Sequence, residues 1–357
     1  LPVQVPLQDY TTGTFKRTGM LPDALNLIRT LTFSKLLNLL VVQLSFRLSD
    51  LLRKPIVWGK PWFVSIEPAS VCNLNCPQCP AGQGEISRKK KFMDYGQYGK
   101  LLEELSSTTL MLSLYFQGEP LMHGEFARFV QLANERNVYT QTSTNGQLLT
   151  GEVCRGLVNA GLDRIIISLD GTNPESYRAY RRGGDFRKVE DGIRTLARMR
   201  REAGSRKPYI IVQFLVFRHN LDEIRDVKEM ARELGADRVR VKTAQVEYPE
   251  SADLWIPDDP EYSRYEMTTQ GEWKRKGKLR NRCRRLWQTT VITSDGLAVP
   301  CCFDKRATCS MGDTGEEGIA RIWKNKSYQD FRKQVLASRE KIAICTNCTE
   351  GFGRIFL

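Results

Sequence analysis

Val71-Cys-Asn-Leu-Asn-Cys-Pro-Gln-Cys-Pro80 places three thiols, Cys72, Cys76 and Cys79, in one short loop, with three and then two residues between them. Three cysteines cannot all pair as disulfides. A zinc site needs four ligands, and the two histidines, His123 and His219, are not near this loop. Three thiolates suit a four-iron cube with one iron left open. A bound small molecule can chelate that iron, whereas four thiolates close the cube.

Working outward, the loop follows an apolar run at 62–68. Further β-rich runs lie at 110–117, 138–144, 164–169, 209–217 and 238–242, with helical patterns near 94–106, 124–136, 150–160, 186–203 and 221–234. Short strands alternating with helices predict a parallel sheet. In barrels built from such units, chemistry sits where the strands end at their C-terminal face, which is where the cysteine loop falls.

The CxxxCxxC spacing after an apolar strand resembles the radical S-adenosylmethionine (SAM) superfamily. The resemblance implies an α/β fold: a partial (β/α)6 TIM-type barrel whose [4Fe-4S] cube is held by Cys72, Cys76 and Cys79. It also implies that SAM chelates the open iron and is cleaved to methionine and a 5′-deoxyadenosyl radical. Many members carry an aromatic residue before the third cysteine, near the adenine; here it is Gln78. Gln117-Gly118-Glu119-Pro120 ends the second strand and matches the family's motif for the methionyl ammonium. An ammonium in a partly dry pocket needs acceptors and a compensating charge. Ser143-Thr144-Asn145-Gly146 and Ser168-Leu169-Asp170-Gly171 end the third and fourth strands. Thr144, Asn145, Ser168 and Asp170 match the usual ribose and carboxylate contacts, although Asn-Gly and Asp-Gly also read as turn signals.

The last third holds Cys283, Cys301, Cys302, Cys309, Cys345 and Cys348. Residues 291–300 read as a hairpin turning at Asp295-Gly296, followed by helices at 319–324 and 328–337. This resembles the twitch or SPASM auxiliary-cluster domain. The one-cluster version assigns Cys283, Cys301, Cys345 and Cys348 to a second [4Fe-4S] cube. Cys302 is an adjacent alternative to Cys301, zinc is the alternative metal, and Cys154 reads as core. The expected units are a helical extension (1–57), the barrel (58–245), a Pro- and aromatic-bearing linker (246–280) and the auxiliary domain (281–357).

Net charge is +13 over 357 residues, which favours anionic partners without bearing on fold. Residues 274–285 carry eight basic residues and no acidic one. They read either as a solvated run or as the substrate mouth. Residues 33–53 are leucine-rich; the uncharged stretch between Lys35 and Arg47 is too short to span a bilayer, and the segment reads as a helix packed on the domain or lying on a membrane surface. No secretory signal is visible, so a cytoplasmic location, peripheral to the membrane in the second case, is expected.

Glu67, Tyr115, Gln213 and Lys242 stand at strand ends as candidate substrate groups, with Arg238 and Arg240 beside them. The expected function is dehydrogenation of a small-molecule or sugar-like substrate, with the auxiliary cluster accepting the electron. Maturation of a ribosomal peptide and modification of a lipid or glycolipid are the alternatives. The resemblance implies a low-potential electron donor such as flavodoxin or ferredoxin, and no nucleic-acid partner.

Overall fold

The computed structural model describes residues 21–349. Six parallel strands form the main ladder: β1 (Phe63–Ile66), β2 (Met111–Ser113), β3 (Tyr139–Thr144), β4 (Arg164–Ser168), β5 (Tyr209–Val216) and β6 (Arg238–Thr243). Helices α3 (Tyr95–Leu105), α4 (Phe126–Glu135), α5 (Gly151–Asn159), α6 (Pro174–Tyr180), α7 (Phe186–Glu202) and α8 (Ile224–Glu233) fill the crossovers. α7 shows why they form: Asp185 caps the first turn by accepting from Arg187 N and Lys188 N. Val189, Ile193, Leu196 and Ala197 recur on one buried face.

The sheet does not stop at β1. β9 (Thr289–Ile292) pairs with it in parallel, Phe63 opposite Thr289 and Ile66 opposite Ile292. β10 (Leu297–Val299) and β11 (Gly312–Asp313) continue antiparallel, giving nine strands in the order β11-β10-β9-β1-β2-β3-β4-β5-β6. The turn between β9 and β10 is at Asp295-Gly296, and Gly296 takes a φ of 91° that a side chain would resist. The C-terminal segment therefore shares the sheet of the N-terminal one.

Strand parity divides the faces. Val212, Phe214 and Val216 of β5, and Val239 and Val241 of β6, enter the main apolar core under the helices. Gln213 and Leu215 face the other way, opposite Arg240 and Lys242 in register. A parallel sheet is usually apolar on both faces; here one face is polar and charged.

The 246–280 stretch is more than a connection. It holds a short helix α9 (Ala252–Trp255) and a hairpin of β7 (Tyr265–Met267) and β8 (Trp273–Arg275). Val246, Trp255, Ile256 and Tyr265 pack with Leu74 and Cys76 of the first cysteine loop. The basic run after it is not simply solvated. Arg275 Nε donates to Thr346 O (3.0 Å), Arg282 pairs with Asp50 (3.2 Å), and Arg284 donates to Gln43 (2.6 Å).

The N-terminal helices α1 (Leu21–Arg29) and α2 (Phe33–Leu52) pack by their polar sides. Asp23 is buried against the starts of β3 and β4, pairing with Arg164 (Nε at 3.1 Å) and accepting from the Tyr139 hydroxyl. Asn38 accepts from Lys60 N (2.9 Å) and donates to Lys60 O (3.0 Å) and Thr108 O (3.2 Å). Replacing Asn38 by leucine would strand buried backbone groups. Denaturant unfolding should show a loss on the order of 2–3 kcal/mol; an unchanged midpoint would mean that these bonds do not anchor α2.

Candidate active site and metal centres

The first cysteine loop lies between β1 and the bend after β2. Glu119 N donates to Val71 O at 2.8 Å, stitching the loop to the Gly-Glu-Pro turn. Gly118 has a φ of 68°, and a Cβ there would stand 2.5 Å from Ala69 O and 2.7 Å from Val71 O. Only glycine lets the two segments approach this closely.

Hydrogen-bond donors surround the thiols. Cys72 Sγ receives Leu74 N at 3.4 Å and Asn145 Nδ2 at 3.8 Å; Cys76 Sγ receives Arg181 Nη1 at 3.9 Å. Burial pushes the Cys76 thiol up to about 11, while Arg181 pulls it back. A metal must displace those protons, so loading releases acid. Cys72 and Cys79 lie close enough to Cys76 for their charges to raise it, and three thiolates in one loop are a donor set that suits a four-iron cube with one iron left open.

Glu119 is buried and accepts three hydrogen bonds. It accepts from Thr144 Oγ1 (2.7 Å), Leu121 N (3.1 Å) and Asn145 N (2.8 Å). Burial pushes its carboxyl up, and these bonds pull it back. Pro120 opens a short 3-10 turn, Pro120–Met122, just after it. Thr144 and Asn145 thus join Glu119 and Cys72 in one network. Ser168, at the end of β4, is opposite Gln213.

Four candidates are held by bonds within the chain. The Asp170 carboxylate is engaged. It pairs with Arg181 (Nε to Oδ2, 2.6 Å) and accepts from Leu215 N (2.7 Å). Gln78 clips the loop to the following segment, accepting from Glu247 N (2.7 Å) and Tyr248 N (2.9 Å) and donating to Ser251 Oγ (2.7 Å). Glu67 has no exposed surface and pairs with Arg88 at 3.1 Å. It also accepts from Gln117 N (3.2 Å) and Ser294 N (3.0 Å), so it ties the ends of β1, β2 and β9 together. Gln117 contributes that backbone link, and its side chain turns to Phe116 O.

Tyr115, Gln213 and Lys242 remain partly exposed on the polar side. Burial lowers the Lys242 pKa to about 7, and Arg240, Arg264 and Arg285 add repulsion, with Cys302 opposing them. The Tyr115 hydroxyl is raised by burial and also feels Arg240, Cys302 and Arg285.

The second cysteine set gathers around Arg339. Its Nη2 donates to Cys348 Sγ at 3.2 Å, and it lies close enough to Cys283 and Cys345 for their charges to bear on it. Cys301 is raised by burial and by Cys302, Cys283 and Cys348. Cys302 diverges: it accepts from Arg285 Nη1 at 3.3 Å and neighbours Tyr115 and Lys242. Cys309 sits near Cys345, and Cys154 is core. Sequence reasoning missed Arg88, Arg181, Arg285 and Arg339. Nothing in the pattern separates them from the other basic residues until the fold brings each to a carboxylate or thiol.

Residues 66–231 match the Radical SAM superfamily, and residues 283–349 match an iron–sulfur cluster-binding domain. Among curated proteins, the chain is similar to the tungsten-containing aldehyde ferredoxin oxidoreductase cofactor-modifying protein of Pyrococcus furiosus. The two are 26% identical over 314 residues, 80% of this chain and 87% of that protein. Other curated relatives match over about half of their length. BtrN in complex with AdoMet and 2-DOIA superposes with a TM-score of 0.51 at 22% identity, covering 82% of this chain and 94% of that one. SuiB of Streptococcus suis bound to precursor peptide SuiA gives 0.61 at 15% identity, covering 82% and 70%. These likenesses are of fold.

Arg181 joins Asp170 to Cys76, and its loss would leave a buried carboxylate unpaired. Arg181→Leu should cost about 3–5 kcal/mol in denaturant unfolding and weaken iron retention at the first loop. Unchanged stability and iron content would remove Arg181 from the site.

Proposed function

We propose that the chain is a radical SAM enzyme with a C-terminal SPASM domain, as the matches over residues 66–231 and 283–349 support, and that it oxidises a small polar substrate bearing a negative charge. Its cofactors are SAM, a SAM-binding [4Fe-4S] cluster and auxiliary iron–sulfur; we assign Cys72, Cys76 and Cys79 to the first cluster and Cys283, Cys301, Cys345 and Cys348 to one auxiliary cube. When bound, these groups supply one-electron cleavage of SAM to a hydrogen-abstracting radical and an acceptor for the electron that the substrate gives up.

The chain's own residues do the rest. Glu119, held by Thr144 and Asn145, would supply negative charge and acceptor capacity for the ammonium of SAM. Arg181 stabilises thiolate at Cys76. Gln213, Arg240 and Lys242 form a polar strip on the sheet face away from the helices, suited to an anionic group on the substrate.

The observation that carries the reading is that Cys302, which adjoins the assigned ligand Cys301, lies close enough to Tyr115 and Lys242 for their charges to interact. A substrate lying there would be near the auxiliary site. Oxidation removes a hydrogen atom, an electron and a proton from a CH–OH or CH–NH group, leaving C=O or C=N. Lys242 is the group we assign to take the proton. A flavodoxin or ferredoxin is the expected source of the priming electron.

A second reading is a peptide substrate, favoured by the shared fold with SuiB, which is solved with its precursor peptide. In that case a side chain of the peptide would occupy the same polar strip.

Because the Lys242 pKa falls to about 7, the neutral amine prevails above that pH. Product formation should therefore rise with pH through about 7 and level off above it. Lys242→Gln should flatten and lower this profile while leaving substrate-free cleavage of SAM intact. An unaltered profile in the variant would assign the proton to another group.

A further inference from the structure

Helix α2 is built inside out. Its buried residues are Lys35, Asn38, Val42, Ser45, Phe46 and Ser49. Each polar one is held by specific bonds: Lys35 Nζ donates to Thr30 O (3.1 Å) and to Asn137 O, Ser45 Oγ accepts from Trp58 N (3.1 Å), and Ser49 Oγ accepts from Ile56 N (2.8 Å). The opposite side carries the large apolar residues. Phe33 is 80% exposed and Leu40 60%, with Leu36, Leu37 and Leu44 also exposed between and after them. Ile28 of α1 extends the same character. The i, i+4, i+8 spacing of Leu36, Leu40 and Leu44 makes a continuous stripe on one helix face. Soluble surfaces scatter single leucines but rarely line them up.

The stripe is edged with positive charge. Arg47 is exposed on α2, and Arg282 and Arg284 stand beside it, close enough that the three repel. Trp58 follows the helix and is 53% exposed. Among the described residues no single helix is long and apolar enough to cross a bilayer. An apolar face with basic residues at its edge and an exposed tryptophan is what a helix lying in a membrane interface requires.

We propose that α2 docks the protein on an anionic lipid surface. Phe33, Leu36, Leu40 and Leu44 enter the headgroup–acyl boundary, and Arg47 and Arg284 meet the lipid charge. The bonds of Lys35 to Asn137 and of Asn38 to Lys60 and Thr108 fix the inner side of the helix to the sheet domain, so docking leaves the catalytic fold intact. This surface goes beyond the oxidative reading and does not depend on it.

The test is flotation of the full-length, cluster-reconstituted protein with vesicles of phosphatidylcholine plus phosphatidylglycerol, and of phosphatidylcholine alone. The protein should float with the anionic vesicles, much less with the neutral ones, and less at high salt. Leu36→Ser, Leu40→Ser and Leu44→Ser together should weaken flotation about tenfold or more at unchanged iron content. Arg47→Gln should weaken it less; if the triple variant does not fold, Leu40→Glu alone serves. Three results would overturn the proposal: no binding to anionic vesicles, binding indifferent to the leucine changes, or a wild-type dimer that the triple variant dissolves without any vesicle binding. The last would assign the face to a second copy of the chain.

Discussion

The parallel pairing of β1 with β9 is the constraint on which the molecule depends. β1 leads into the first cysteine loop, and β9 leads through its hairpin into Cys301. One ladder therefore sets the relative position of two cysteine sets that are far apart in sequence. The buried Glu67 locks the C-terminal end of that ladder by joining Arg88, Gln117 N and Ser294 N. Arg88 also donates to Lys305 O at 2.9 Å, carrying the tie beyond the second hairpin. A carboxylate buried this deeply is tolerable only with such partners, and these come from three separate parts of the chain.

A second economy lies in the arginines. Arg181, Arg285 and Arg339 each approach a thiol, at Cys76, Cys302 and Cys348. Positive donors near thiolates lower their basicity, and hydrogen bonds to cluster sulfurs tune a cluster's potential. The apolar wall of Val246, Trp255, Ile256 and Tyr265 against the first loop works with them by limiting water.

Much of this was readable from the residues. The six strands and the principal helices fall within a few residues of their expected places, because alternating apolar runs and short polar breaks leave little freedom. The hairpin at Asp295-Gly296 was equally plain. The roles of Glu67, Gln78 and Asp170 were not. Each is a polar residue at a strand end or in a loop, and only the fold reveals that Arg88, Ser251 or Arg181 already occupies it. α2 resisted for the opposite reason. Its leucines read as the inner face, whereas the buried face combines Val42 and Phe46 with Lys35, Asn38, Ser45 and Ser49. Pattern cannot say which side of such a helix turns inward when its polar residues find backbone partners.

The claim that two separate iron–sulfur sites share one sheet is tested most directly by iron and 5′-deoxyadenosine together. After anaerobic reconstitution, the wild type should hold about eight irons and release 5′-deoxyadenosine from SAM under dithionite. Cys345→Ala should fall to about four irons and keep that cleavage. A wild type holding only about four irons, or a Cys345→Ala variant that keeps its full iron content, would contradict the account.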